Sequence, residues 1–382
     1  MPRFHWKKVH WSNSLFLVST LVLTLTAVPV YVWRNGLDRF QIALFLFFFA
    51  ATGLSITVGY HRLFSHLSFK ASWPVRLFTL LFGAAAFENS VLCWASDHRR
   101  HHKFVDHEED PYDISKGFLH AHIGWILFRL QPEGSFDGVK DLQEDRLVMW
   151  QHRRYKLIAL STSFGLPSLL GWLHGGWRGA LGSLLIAGVA RVVCVHHMTF
   201  FINSFCHTLG RQPYSSRCTA RDSAIMAWLT FGEGYHNFHH EFQHDYRNGV
   251  KPWQFDPTKW SIWILHRLGL ARQLRRVPEE KILLAEVAEQ QRLIALKLSA
   301  TTAVVAEPVH RMLHSAHQRL QHAATQWEQC KANYRQAVEM RMEASREKLA
   351  ELRREFRRAR ANLRAALREW HQAQRLAHAQ LG

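Results

Sequence analysis

Eight histidines fall into three short boxes whose spacing is that of metal ligands. His61-Arg62-Leu63-Phe64-Ser65-His66 carries two imidazoles five residues apart. His98-Arg99-Arg100-His101-His102 and His236-Asn237-Phe238-His239-His240 carry three each, at i, i+3 and i+4. Residues three and four apart share a helical face, so two imidazoles of a triplet can reach one ion while the adjacent one turns to a second. Five residues turn an α-helix by about 500°, which leaves His61 and His66 about 140° apart. They converge only if the helix ends or loosens between them. A ninth candidate, His207, follows Asn203 by four residues, so the two share a face and can point into the same site. One triplet alone would read as a surface histidine cluster. Nine imidazoles are too many for one ion and match two ions with four or five each. Imidazole suits iron, zinc, copper and nickel alike, so ligand type leaves the metal open. With no carboxylate among the ligands, nearby acids matter for orienting the ring N–H groups: Asp97, Asp106, Asp110, Glu233 and Asp245 are the candidates. Each reads equally as an ordinary loop acid. The chain has 26 histidines; most of the others are scattered singly and read as solvated or structural, and His196 and His197 read as packing or polar contacts.

These boxes need elements that bring them to one place. Four stretches, 15–33, 40–60, 157–177 and 180–202, are long and apolar enough to cross a bilayer core, which takes about 20 residues. The first is read as a span rather than a cleaved signal, because its apolar core is too long. Arg191 interrupts the fourth and is expected to face the bundle interior, in a functional or a pairing role. A fifth apolar run, 77–87, is too short to cross and ends at Glu88, so it reads as re-entrant or interfacial. Only that reading puts all three boxes on one side of the membrane. Arg3, Lys7 and Lys8, with the basic residues around the boxes, place that side and both termini in the cytoplasm.

The expected architecture is therefore all-α: a membrane protein with four transmembrane helices, a re-entrant segment and a cytosolic helical cap over residues 1–270. A helical linker over 271–307 and an Arg/Ala/Leu-rich helical tail over 308–382 follow. In the tail Val338, Met342, Leu349, Leu352, Phe356, Ala359, Leu363, Ala366 and Trp370 keep a 3–4 spacing, as in a coiled coil or a long amphipathic helix, with Pro308 separating it from a shorter helix. It serves either as an oligomerisation or docking arm or as a basic helix lying on anionic lipid headgroups. The formal charge is +18, with 48% hydrophobic and 20% charged residues. That excludes a disordered chain. The apolar residues come in long blocks and the tail lacks interleaved aromatics, so no nucleic-acid partner is expected. Five scattered cysteines form neither a CxxC pair nor a disulfide framework.

The HxxxxH box, Asp97 to His102, Asn203-Ser204 with His207, and Gly232 to His240 together resemble the integral-membrane acyl-CoA desaturase family, of the stearoyl-CoA Δ9 kind. The resemblance runs over about 15–270. The segments 211–222 and 244–249 look like bacterial members, which implies a bacterial inner membrane. It implies a mushroom-shaped four-helix bundle whose cap holds two iron ions on His61, His66, His98, His101, His102, His207, His236, His239 and His240, with Asn203 acting through water. The implied reaction uses O2 and two electrons to place a cis double bond in a saturated acyl chain. Asn89, Trp94 and Asp97 align with substrate-lining positions and Arg129 with a coenzyme A contact. Leu130 and Ser96 stand where the family is commonly basic, which leaves acyl-CoA and a lipid-linked chain both open as substrates, in contact with membrane lipid. No haem motif, ferredoxin cysteine run or dinucleotide fingerprint occurs. Electrons are expected from a separate protein of ferredoxin, rubredoxin or cytochrome type, steered by the basic face. The alternatives are a histidine-rich di-iron hydroxylase and a metal transporter or sensor; the latter would hold its ligands near the bilayer midplane.

Overall fold

The computed structural model describes residues 9–128, 136–299, 303–339 and 346–381. Arg3, Lys7, Lys8, Arg129, Leu130 and Met342 lie outside them. The first helices are α1 (Trp11–Leu25) and α2 (Ala27–Asn35), which meet at Thr26. Pro29, inside α2, has no N–H to give to Leu25, so the winding breaks one turn earlier. Asp38 caps α3 (Arg39–Leu54) by accepting from Phe40 N, and α3 runs on without a break into a π-helical segment, Ser55–Ser65. The remaining helices of the first part are α4 (Trp73–Ala84), α5 (Val91–Phe104), α6 (Trp125–Leu127), α7 (Lys140–Gln143), α8 (Arg146–Leu160), α9 (Leu166–Ser183), α10 (Arg191–Ser204), α11 (Ala224–Leu229), α12 (His236–Glu241) and α13 (Pro257–Arg267). The two short strands, β1 (Lys70–Ala71) and β2 (Ala271–Arg272), pair antiparallel with Lys70 opposite Arg272.

Among the described residues, three helical stretches are long and apolar enough to cross a membrane: Trp11–Asn35, Arg39–Ser65 and Arg146–His207. The last covers 62 residues. Its sequence reads as two spans because the backbone leaves helical geometry at Gly175 and Gly176, where φ of Gly176 is +59°. The two arms fold back on each other through small residues. A Cβ added to Gly179 would run into the carbonyl of Gly171, and Gly188 packs against Ser163 and Phe164. Helix α4 is 12 residues long, about 18 Å, too short for a core of about 30 Å.

Arg191 is wholly buried and has a structural role. It donates to Ala85 O (2.7 Å), Ser163 Oγ (2.5 Å) and, from Nε, Ala187 O (3.2 Å). A guanidinium with fixed donors thereby satisfies buried acceptors at Ala85, Ser163 and Ala187. All five cysteines are free.

Packing divides the chain into two units, Met1–Gln212 with Arg217–Arg276, and Pro213–Ser216 with Val277–Gly382. The second unit contains α14 (Glu279–Ser299), α15 (Ala303–Glu339) and α16 (Arg346–Leu381). Their common core includes Val287, Leu313, Leu320, Trp327, Leu363 and Trp370. Two expectations change here. Pro308 sits inside α15, as its sixth residue, rather than at a boundary, where it forgoes one backbone hydrogen bond, to Val304, without ending the helix. The 3–4 series is also divided: Val338 is exposed near the end of α15, while Ala359, Leu363, Ala366 and Trp370 face inward from α16. The periodicity marks the packing face of an intramolecular helix pair rather than one continuous helix.

Arg191→Ala should destabilise the membrane unit by about 2–4 kcal/mol, because buried acceptors lose a charged donor. Thermal unfolding in detergent checks this; an unchanged midpoint would remove Arg191 from the architecture.

Candidate metal centre

The π-winding of Ser55–Ser65 resolves the spacing problem of the first box. The N–H of His66 donates to the carbonyl of His61 at 3.0 Å, an i+5 to i bond, so one π-turn stacks the two residues on the same face. Their ring centroids lie 4.7 Å apart. The second box lies on α5, which Ser90 caps by accepting from Cys93 N. The third lies on α12, and His207 lies in a single 3-10 turn directly after α10.

The nine imidazoles gather into two groups, His61, His66, His98, His102 and His239, and His101, His207, His236 and His240. Within each group the ligating nitrogens all lie within 4.8 Å of one another. In each triplet the i and i+4 residues join one group and the i+3 residue the other. The Nε2 atoms face each other directly: His66 and His98 at 2.8 Å, His102 and His239 at 2.9 Å, His61 and His239 at 3.0 Å. In the second group His236 is 3.1 Å from both His207 and His240, and His101 is 3.3 Å from His240. Nitrogens about 2.1 Å from one ion sit about 3.0–3.4 Å apart, so these edges fit a metal ion in each group.

Protonation supports the same fit. The Nδ1–H of His61 donates to Glu233 Oε2 (2.9 Å), and that of His101 to both oxygens of Asp110 (2.8 and 2.9 Å). The Thr219 hydroxyl donates to Asp106 Oδ1 (2.6 Å), so its oxygen accepts from His207 Nδ1 (2.8 Å). A ring whose proton is held at Nδ1 presents a bare lone pair at Nε2. Three acids thus hold ring protons, two directly and Asp106 through Thr219. The other two candidates serve arginines: Asp97 pairs with Arg100 (3.1 Å) and Asp245 with Arg247 (2.7 Å).

Glu233 is held in turn by Arg62, which donates to Oε1 at 2.8 Å, to Asp256 at 3.1 and 3.3 Å, and to Tyr246 O at 2.7 Å. Asn248 Nδ2 completes the Glu233 shell at 2.7 Å. Burial pulls the Glu233 carboxyl up, but Arg62 and His61 outweigh it and bring its pKa to about 2. Burial likewise opposes the lowering of Asp110, which the His101 charge and hydrogen bond dominate together with the Tyr112 and Asp106 N–H groups. Burial, then neighbouring imidazoles, push His66, His98, His102, His236, His239 and His240 well below the ordinary histidine value.

Of the expected substrate-lining residues, Trp94 stacks on His98 at 4.7 Å and meets Tyr60 and His61 edge-on. Asn89 is exposed at φ 75°, with its side chain accepting from Ser90 N. Asp97 is partly exposed beside Arg100, and Asn203 is half-buried in the last turn of α10. Two residues escaped the sequence reading of the site. Glu88 accepts from Trp94 Nε1 (3.2 Å) and from Thr199 Oγ1 (2.7 Å). Thr199 precedes Asn203 by four residues and His207 by eight, so the same helical periodicity already pointed to it. His196 packs against Phe16 and Phe200, and His197 pairs with His122 at 3.1 Å.

The family model described as "Fatty acid desaturase" matches residues 40–268. A "Probable acyl-CoA desaturase" of Schizosaccharomyces pombe is 40% identical over 293 residues, covering 76% of this chain and 59% of its own length. "Acyl-CoA desaturase 1" of Saccharomyces cerevisiae is 40% identical over 298 residues, covering 76% and 58%. "Stearoyl-CoA desaturase" of Homo sapiens is 36% identical over 284 residues, covering 72% and 76%. The chain thus spans less than two thirds of the two fungal proteins' length.

Glu233→Gln should weaken divalent-cation binding at the five-imidazole group about 10- to 100-fold while sparing the other group. Titration with Co2+ followed by visible absorption checks this; two unaltered binding steps would show that His61 does not depend on the carboxylate. Metal-free protein should also lose stability as pH falls. Six histidines with lowered folded pKa bind fewer protons than the unfolded chain below about pH 6.5, each costing up to about 1.4 kcal/mol per pH unit. Glu233 and Asp110, depressed in the folded state, add a second loss as pH falls below about 4 toward 2. A stability curve that stays flat from pH 7 to 5 would contradict the histidine part.

Proposed function

The chain belongs to the fatty acid desaturase family, and from that membership we propose that it is an oxidoreductase, an O2-dependent acyl desaturase that places a cis double bond of Δ9 type in a saturated acyl chain. The observation that carries this reading is the gathering of nine imidazoles into groups of five and four. His61, His66, His98, His102 and His239 would hold one iron, and His101, His207, His236 and His240 the other, with Asn203 joining through water. Two irons supply the O2 activation and electron uptake that unactivated C–H bonds demand, which zinc, having no redox chemistry, does not. The balanced reaction consumes O2, two electrons and two protons, and yields the alkene and two waters.

The protein's own residues determine where that happens. Methylenes are chemically alike, so the reacting pair is set by how the chain is held. The Trp94 indole gives a flat wall beside the five-imidazole group, and Glu88 pins that wall to Thr199 on α10. Asn89, Asp97 and Arg129 are the further proposed substrate contacts. The relatives' names favour acyl-CoA over a lipid-linked chain, and desaturation over hydroxylation. Counting the two arms of Arg146–His207 separately gives four membrane passes, with the boxes on the cytoplasmic face of what we take to be a bacterial inner membrane. A separate donor protein of ferredoxin, rubredoxin or cytochrome type would deliver the electrons.

Expression in a host lacking its own desaturase should restore monounsaturated fatty acids, and His239→Ala should return them to background with the protein still in the membrane fraction. Gas chromatography of total lipids decides. Hydroxylated fatty acids in place of alkenes, or unsaturated product surviving His239→Ala, would sink this assignment.

A further inference from the structure

Helix α16 buries one face in the core of its own unit, through Ala359, Leu363, Ala366, Trp370, Ala373 and Ala377. Away from that face runs a different pattern. Arg353, Arg357, Arg360, Arg364, Arg368 and Arg375 recur at intervals of three, four or seven residues, and His371 fills the long interval. At 100° per residue all seven fall within one sector of the helix, and all are exposed. The row is about 33 Å long. None of the six arginines takes part in an ion pair among the described residues. The four glutamates of α16, Glu347, Glu351, Glu355 and Glu369, fall on the other flank. There Glu369 pairs with Arg319 of α15 at 2.9 Å and Glu351 with Lys348 at 2.9 Å.

An ordinary solvated helix intersperses both signs of charge. Here the glutamates keep to one flank, accompanied by Arg354, Arg358 and Lys348, while the unpaired row holds no acid and no lysine. Guanidinium is the side chain whose planar fork matches phosphate oxygens two at a time. No large apolar side chain is exposed within the row's own sector: most of the apolar face of α16 is used in packing, and the exposed Leu376 falls on the glutamate flank, about 80° away. What remains is a rigid line of phosphate-binding groups. The described residues of the same polypeptide include three stretches able to cross a membrane, so a lipid surface is tethered to this line at high effective concentration.

We propose that the Arg353–Arg375 row docks on the headgroups of anionic phospholipids, holding the C-terminal unit against the bilayer that the chain itself occupies. Basic segments next to a membrane are drawn to anionic headgroups within a screening length, and release as salt rises. The row therefore makes membrane charge, and not only membrane thickness, a determinant of how the tail is held.

The test uses the full-length protein in nanodiscs of phosphatidylcholine alone or with about one third phosphatidylglycerol, the anionic fraction that draws basic segments. Arginine accessibility is read residue by residue as the rate of phenylglyoxal modification by mass spectrometry. In anionic discs the six row arginines should react about fivefold more slowly or less, and recover in 1 M NaCl, where the screening length is about 3 Å. Arg354 and Arg358, exposed on the flank that carries Glu351 and Glu355, should keep their rates in both lipids. Inorganic phosphate added to phosphatidylcholine discs should change nothing. Equal row rates in the two lipids would overturn the proposal. So would protection already complete in phosphatidylcholine, which would mean a contact between chains, or protection produced by phosphate or by an acidic electron-transfer protein without anionic lipid.

Discussion

Bare imidazole nitrogens pointed at one another about 3 Å apart repel unless a cation lies between them, and the whole membrane unit is arranged around that demand. Keeping the lone pairs inward requires the ring protons to be held outward. Glu233, Asp110 and the Thr219–Asp106 pair do so for one ring from each of three different stretches, His61, His101 and His207. Those acids in turn need buried counter-charge or backbone N–H groups, and Arg62 supplies the former to Glu233 and Asp256 together. The charged network under the centre is thus a consequence of ligand chemistry. A hydrophobic replacement of equal volume would pack as well and leave the imidazoles free to flip.

The π-helical segment is the second expression of the same demand. Two ligands five residues apart cannot share a face of an α-helix, and ending the helix between them would loosen their aim. Winding Ser55–Ser65 more widely keeps the backbone hydrogen-bonded throughout while stacking His61 under His66. Among the described residues of the same unit, three more short π-segments recur, His120–Gly124, Ser161–Gly165 and Leu184–Ala190. The last hands directly on to Arg191, whose guanidinium reaches back to Ala187.

Much of this was readable from residue order. The triplets state their own geometry, because i and i+4 on a short helix leave few alternatives, and Asn203 with His207 obeys the same rule. The apolar blocks announced long helices, although the turn at Gly175–Gly176 carries its meaning in glycines rather than in polarity. The partners of the centre were less legible. Five acids stood close in sequence and nothing in their spacing separated Glu233 and Asp110, which hold ligands, from Asp97 and Asp245, which hold arginines. Asp256 reaches Arg62 across 194 positions and leaves no local trace. In the tail the heptad-like rhythm was real, but rhythm alone does not say whether the matching face belongs to another molecule or to α15 of the same one.

The span of chain over which the centre is assembled has a consequence for how the protein is made. His61 closes onto His239, 178 positions later, and Arg62 onto Asp256, 194 positions later. During synthesis the first membrane helices are therefore inserted with their two histidines unpartnered, and the pocket closes only after the ribosome has passed the third box and the loop beyond it. Closure of the nine-imidazole pocket is thus possible only once about two thirds of the 382 residues have been made. A nascent chain stalled before that point offers at most a partial set of the nine donors.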